Sequence, residues 1–240
     1  MITPYKDSAD PKVDQVRRMF NRIAPQYDRL NFIISLGLDR SWRRKALSFL
    51  APYAPKHVLD VATGTGDLAI ELSKIEGAHI TGVDISQGML SVGEKKIKEL
   101  GLSERISMQL ADSENLPFAD GSFDAVTVSF GVRNFENLQK GLSELRRVLR
   151  PGGRLVILET SVPTRFPYKQ GYRLYTRFVV PLMGRFLAKN QNAYAYLSES
   201  AAKFPFGEKL ANILKGEIGF SSVNYYPQFL GVATIYVADK

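Results

Sequence analysis

Through the middle of the chain, short apolar runs alternate with longer stretches of helical periodicity. The runs His57–Val61, Ile80–Asp84, Ile106–Leu110, Ala125–Phe130 and Arg154–Glu159 have strand length and strand composition. Between them, Leu68–Lys74, Met89–Leu100 and Leu138–Leu149 bring apolar residues back every three to four positions, as helices do. The last of these helices is stopped by Pro151, Gly152 and Gly153, and Arg150–Gly153 reads as turn chemistry. Regular alternation of this kind predicts an α/β fold, a doubly wound and mostly parallel sheet covered by helices on both faces. Further on, Gly207–Gly216 has helical character. Ser222–Tyr226 and Val232–Val237 then read as strands separated by Pro227 and Leu230-Gly231, which makes a hairpin at one sheet edge and brings the strand count to seven. At the other end of the chain, Val13, Val16, Phe20 and Ile23 have the spacing of an amphipathic helix.

Composition narrows the classes of function. The 240 residues contain no cysteine, which excludes a disulfide framework, a thiolate nucleophile and a cysteine zinc site; no metal site is expected. The first residues carry Asp7, Asp10 and Asp14, and nowhere does an apolar run approach the roughly 18 residues of a membrane span. The expectation is a cytoplasmic protein that is neither exported nor membrane-spanning. The net charge of +8 sits on the flanks: 10 Lys/Arg against 5 Asp/Glu in residues 1–50, 12 against 15 in 51–160, and 10 against 4 in 161–240. Cations placed away from the glycine-rich middle suggest an anionic surface as a peripheral partner and argue against nucleic acid.

That middle carries the chemistry. Asp60-Val61-Ala62-Thr63-Gly64-Thr65-Gly66-Asp67 runs from a strand through a glycine turn into a helix, and Asp84 lies 20 residues after Gly64 at the end of the next predicted strand. The pattern formally fits a dinucleotide fingerprint. Asp67, however, occupies the helix start where a diphosphate needs positive charge, so it is expected to repel one. S-adenosylmethionine, a phosphate-free cation with ribose hydroxyls, suits a mouth where Asp60, Asp67, Asp84 and Asp112 all fall at strand ends.

These residues resemble the class I S-adenosylmethionine-dependent methyltransferases. Further matches narrow the resemblance to the UbiE/MenG/COQ5 family of quinone-biosynthesis C-methyltransferases: Tyr27-Asp28-Arg29-Leu30-Asn31 with Ser35 and Trp42, DSENLPF at Asp112–Phe118, SFGVRN at Ser129–Asn134, and RVLRPGGRLVILETS at Arg147–Ser161. The likeness runs on through AYAYLSES, which starts at position 193, and the Gly219-Phe220 pair. Three positions depart from the pattern: Ala62 replaces the first motif glycine, Leu30 a common methionine, and Asp39 a common histidine.

The resemblance implies a Rossmann-like methyltransferase domain over residues 51–240, a helical N-terminal lid over 1–50, and an inserted basic and aromatic helical segment over 162–205. It implies that Gly64, Thr65 and Gly66 line the methionine side of S-adenosylmethionine, with Asp60 among the cofactor residues. Asp84 would hold the ribose, Asp112 with Ser113 would border the adenine, and Ser129 would close the pocket. Tyr27, Asp112, Arg133 and Asn134 are the implied substrate-binding or proton-handling candidates, with Arg133 set to stabilise a phenolate. Read from the residues alone, Arg133 is equally well a surface ion-pair partner. His57 and His79 open strands at the far end of the sheet and read as structural.

The implied reaction is C-methylation of a polyprenylated quinol, demethylmenaquinol to menaquinol, with 2-polyprenyl-6-methoxy-1,4-benzoquinol in ubiquinone biosynthesis as the alternative. A small-molecule O- or N-methyltransferase, an RNA methyltransferase and a non-enzymatic nucleotide-binding module stay open; a NAD-dependent dehydrogenase is disfavoured by Asp67. A lipid acceptor fits the run from Pro163 through Ser198. It contains no acid, while Arg165, Lys169, Arg173, Arg177, Arg185 and Lys189 interleave with Tyr168, Tyr172, Tyr175, Phe178, Val179 and Val180 until Pro181 intervenes. Peripheral contact with an anionic membrane at its inner face is the expected consequence, and a homodimer is left open.

Overall fold

A computed structural model describes residues 2–179 and 191–240. Three helices, α1 (Lys12–Ile23), α2 (Tyr27–Ile34) and α3 (Leu38–Ser48), precede the alternating core of β1 (His57–Val61), α4 (Asp67–Leu72), β2 (His79–Asp84), α5 (Gln87–Glu99), β3 (Ile106–Leu110), β4 (Phe123–Ser129), α6 (Leu138–Val148) and β5 (Leu149–Thr160). Then come α7 (Tyr168–Leu174), α8 (Gln191–Lys203), α9 (Glu208–Asn212), β6 (Ser222–Gln228) and β7 (Ala233–Asp239). Of the predicted basic and aromatic stripe, Val180, Pro181, Arg185 and Lys189 lie outside the described residues.

The seven strands form one sheet in the order β3-β2-β1-β4-β5-β7-β6. The first five run parallel; β7 is antiparallel to β5, and β6 pairs antiparallel to β7 as the outermost strand. Strand periodicity explains the two covered faces. Leu59 and Val61, Val126 and Val128, and Leu155 and Ile157 point into one core with Leu142, Leu145 and Val148 of α6. Val58, Ala125, Val156 and Leu158 point the other way, onto Leu68 and Leu72 of α4 and Trp42 and Ala46 of α3. Two helix starts, those of α5 and α6, are capped by side chains: Ser86 accepts from Met89 N–H, and Asn137 from Lys140 N–H.

Two elements differ from the sequence expectation. Arg150–Gly153 is not a free turn before the fifth strand. Phe123 pairs with Leu149 and Ala125 with Arg154, so the four residues between bulge out of a continuous β5, with Arg150 paired to Asp124 at 2.7 Å. Pro227 lies inside β6 rather than between the hairpin strands, a position tolerated because β6 is the sheet edge. The helical stretch after Gly207 is α9 followed by a wider turn over Ile213–Glu217.

Strand order reverses direction between β1 and β4. The carboxyl ends of these strands therefore splay apart and leave a crevice there, where ligands of open α/β sheets bind. His57 and His79 are register partners at the opposite end, with stacked rings. No described helix is long and apolar enough to cross a membrane.

Candidate active site

The crevice is a narrow cleft of about 70 Å³ between the strand ends and the N-terminal helices. Its floor is Val61, Ala62 and Gly64 after β1, Asp84 and Ile85 after β2, Ala111 to Glu114 after β3, and Ser129 to Gly131 after β4; Val13, Val16 and Phe20 of α1 and Tyr27 of α2 close it from above.

The glycine turn is a backbone device. Gly64 and Gly66 adopt φ of +59° and +79°, a region open to glycine without penalty. Ala62, where the family motif has glycine, has φ +52° and so carries strain that glycine would not. The turn is tied to β2 by Asp84, whose Oδ2 accepts from Gly64 N–H at 2.9 Å and whose Oδ1 accepts from Ser86 N–H at 2.8 Å. Burial pushes the Asp84 carboxyl up to about 6, against the pull of these backbone donors. Each oxygen keeps acceptor capacity for a ligand hydroxyl. The Ser129 hydroxyl is buried in the cleft wall without a hydrogen-bond partner, an unused polar atom that a polar ligand group would satisfy. Carboxylate, free hydroxyl and apolar walls of Ile85, Met89 and Ala111 match the chemistry of a ribonucleoside.

The four predicted acids do not line the crevice together. Asp84 and Asp112 do. Asp60 lies behind it, 1% exposed, with Oδ1 and Oδ2 accepting from Thr127 and Thr63 hydroxyls, each at 2.6 Å. Its burial raises the carboxyl to about 6, against both hydroxyls. Asp67 is no free anion: Lys96 lies 2.5 Å and Arg43 3.4 Å from its carboxylate. Those cations are shared, Lys96 with Asp28 and Arg43 with Asp39, so three carboxylates face two cations and the repulsion of a diphosphate expected from Asp67 is weakened rather than removed. Thr65 also lies behind the cleft wall, its hydroxyl donating to Asp28 at 2.5 Å, and Gly66 is covered by Met108. Asp112 Oδ1 is occupied by the N–H of Glu114 at 2.9 Å, which leaves Oδ2 and Ser113 at the cleft.

A second, larger cavity of about 620 Å³ opens beside the first and shares Tyr27 and Phe130 with it. Its walls come from distant segments: Ile34, Leu38 and Trp42 of α2 and α3, Tyr168, Tyr172 and Tyr175, Leu197 and Ala201 of α8, and Phe229 and Leu230. The three tyrosines of the predicted stripe thus face this cavity, while Phe178 is exposed outside its lining and Lys169 and Arg173 face outward. At the mouth, Leu36 is 70% exposed, with Phe229 and Leu230 also exposed.

Arg133 lines the second cavity, on a single helical turn of Val132–Asn134 just after β4. It is not a surface residue. Its side chain is 7% exposed, and Nη1 donates to Glu159 at 2.5 Å and to the Phe130 carbonyl at 2.8 Å. Burial is the largest influence and works against its charge, but Glu159 together with Tyr27 and Tyr196 outweighs it and raises the pKa. Its Nε is buried without a partner. Asn134 lines the cleft, its side-chain oxygen accepting from the Tyr196 hydroxyl at 3.0 Å. Burial also raises the pKa of Tyr27.

Several residues that matter here left no local signal: Thr63 and Thr127 around Asp60, Glu159 behind Arg133, Tyr196 on Asn134, and Lys12, whose ammonium donates to the carbonyls of Arg133 and Phe135 and pins α1 to the turn. Except for Thr63, three residues from Asp60, each works through a partner far away in the chain.

The model of the ubiE/COQ5 methyltransferase family matches residues 7–240. A demethylmenaquinone methyltransferase of Bacteroides fragilis is 49% identical over all of this chain and 97% of its own length. One of Porphyromonas gingivalis is 50% identical over 100% and 98%. A ubiquinone/menaquinone biosynthesis C-methyltransferase of Geotalea daltonii is 42% identical over 95% and 97%. Among solved structures, a SAM-dependent methyltransferase from Thermotoga maritima superposes with a TM-score of 0.65 at 19% identity, covering 93% of this chain and 99% of that one. Another, from Aquifex aeolicus, gives 0.54 at 19% identity over 77% and 81%; at such identities the likeness is one of fold. Motifs, sheet order and full-length matches agree: this chain belongs to the ubiE/COQ5 methyltransferase family and is an S-adenosylmethionine-dependent methyltransferase.

Proposed function

We propose that this enzyme methylates a ring carbon of a polyprenylated quinol, converting demethylmenaquinol to menaquinol. The observation that carries the reading is the apolar cavity of about 620 Å³ that meets the cofactor cleft at Tyr27 and Phe130 and opens between exposed apolar side chains. A flat aromatic ring with an isoprenoid tail matches such a space, and the Bacteroides and Porphyromonas relatives carry the corresponding name.

Bound in the cleft, S-adenosylmethionine supplies an electrophilic methyl group on a sulfonium. Asp84 would accept from the ribose hydroxyls, Asp112 and Ser113 would border the base, Gly64 would let backbone approach the amino-acid part, and Ser129 would offer its free hydroxyl. Arg133, its charge shared with Glu159, turns an N–H toward a ring oxygen as electron density shifts to the reacting carbon, with Asn134 and Tyr27 alongside. Holding the two reactants in line supplies most of the acceleration.

Residues 1–50 act as a lid in this reading. Supporting it, α1 and α2 leave room for only a few waters over the cleft, and Asp28 of α2 is latched to Lys96 at 2.7 Å beside the glycine turn. Contact with an anionic bilayer is supported by the apolar mouth, with Phe166 80% exposed beside it, and by the outward cations Arg165, Lys169 and Arg173. Salt-sensitive flotation with anionic liposomes is expected, and absence of binding at low salt counts against a membrane site.

The decisive experiment supplies purified enzyme with labelled S-adenosylmethionine and either a prenylated naphthoquinol or 2-polyprenyl-6-methoxy-1,4-benzoquinol, and locates the label. Transfer to the naphthoquinol ring carbon is expected. Label only on the benzoquinol redirects the pathway, and label on oxygen or nitrogen, or on neither ring, ends the reading.

A further inference from the structure

Asp39 occupies an unusual place for an acid. It is the second residue of α3, 5% exposed, and it lines the acceptor cavity beside Leu38, Trp42 and Phe130. Among the described residues lining that cavity, it is the one carboxylate and Arg133 the one cation. The Ser35 hydroxyl donates to Oδ1 at 2.7 Å and Arg43 Nη1 to Oδ2 at 2.5 Å. Arg43 is itself held by Asp67 at 3.4 Å. Burial opposes the charge, yet the Ser35 and Arg43 donors outweigh it and keep the Asp39 carboxyl below its ordinary value. Ser35 and Arg43 leave about two of the roughly four acceptor positions of an ionised carboxylate.

An acceptor of fixed negative charge on a largely apolar wall discriminates between ligands by their donors. A quinol presents two hydroxyl donors; the corresponding quinone presents only carbonyl oxygens, which a carboxylate repels. A site that hydrogen-bonds a hydroxyl rejects the analogue lacking it, because its own polar group is then left unpaired. We propose that Asp39 reads the redox state of the acceptor: its carboxylate accepts a hydrogen bond from a ring hydroxyl of the reduced quinol and excludes the oxidised quinone. This rests on the cavity being the quinol site. Its consequence is that an oxidised pool, whose ring carbon is too electron-poor to attack a methyl group, does not block the enzyme.

The test uses Trp42, the single tryptophan of the chain, which lines the cavity and reports occupancy by fluorescence quenching. A short-chain 2-prenyl-1,4-naphthoquinone is titrated in air, and its dithionite-reduced quinol without oxygen, into wild type and Asp39→Asn. Melting temperature and S-adenosylhomocysteine affinity check that the variant is folded. Wild type is expected to prefer the quinol. Loss of one charge-assisted hydrogen bond should weaken quinol binding about tenfold in Asp39→Asn, while the new amide donor tightens quinone binding, so the preference falls by more than tenfold. A purely structural role would weaken both ligands together and leave their ratio unchanged; that result overturns the proposal, as does an unaltered variant. Should Asp39→Asn not fold, Asp39→Leu is expected to bind the two forms alike, and a retained quinol preference overturns the proposal. If wild type binds neither form, the quinol reading of the cavity has failed instead.

Discussion

The cofactor cleft and the acceptor cavity touch at Tyr27 and Phe130, yet they are built in opposite ways. The cleft is assembled from backbone: the ends of four neighbouring strands converge, and polar groups such as Asp84 are fixed by main-chain N–H groups. The cavity is assembled from side chains, contributed by α2, α3, α7, α8 and the Phe229–Gly231 turn, segments almost two hundred residues apart. Precision resides in the first and volume in the second. A ligand with many polar atoms suits converging strand ends, whereas an apolar tail needs only room and a dry wall. Substitutions should therefore cost specific bonds on one side and diffuse contacts on the other.

The largest effect is expected on the side-chain-built side, at Arg133 in the cavity wall. Arg133→Ala leaves Glu159 buried and unpaired, so unfolding should become easier by about 3 to 5 kcal/mol in denaturant titrations. The double replacement Arg133→Met with Glu159→Gln should recover most of that stability and little of the methyl transfer, separating the structural pair from the Arg133 N–H. If turnover returns with stability, Arg133 is scaffold only.

Next comes the backbone-built side. Asp84→Ala should weaken S-adenosylhomocysteine binding by roughly 100-fold, about 3 kcal/mol for two charge-assisted hydrogen bonds, as read by calorimetry, while quinol-analogue binding at Trp42 is spared. Equal losses at both sites would erase the distinction drawn between them.

Asp60 offers a pH test of the cleft's foundation. Its folded pKa of about 6 lies above the ordinary carboxylate value, so the folded state binds more protons than the unfolded state between about pH 4 and pH 6. Its contribution to stability is fully present below pH 4 and is lost as pH rises through 6. Two pKa units bound the loss at roughly 3 kcal/mol. Wild type should accordingly lose ground to Asp60→Asn over that window in urea titrations. Parallel pH curves for the two proteins would refute the buried-charge account.

The smallest effect concerns the strained turn. A methyl at Gly131 would lie 2.5 Å from the Ala62 side chain, so Gly131→Ala should cost about 1 to 3 kcal/mol, and adding Ala62→Gly should restore part of it by removing that contact. Ala62→Gly alone relieves φ +52° and should stabilise by about 1 kcal/mol, seen as a higher melting temperature.

The alternation of strands and helices, the glycine turn and the strand-end positions of Asp84, Asp112 and Ser129 follow from periodicities of two and 3.6 residues and from glycine's access to positive φ, all local properties of the chain. So do the family motifs. The bulge at Arg150–Gly153 was not local: only the pairing of β4 with β5 turns that stretch from a loop into strand. Nor was the charge state around the turn, since Asp67 shares Arg43 and Lys96, from two other helices, with Asp39 and Asp28. Tertiary structure likewise decided that Arg133 is buried against Glu159, that Asp60 stands behind the cleft rather than in it, and that Tyr168, Tyr172 and Tyr175 line a cavity. Hydrogen bonds and ion pairs form between side chains that folding brings within about 3 Å. A periodic pattern shows which face of an element is covered, but not by what.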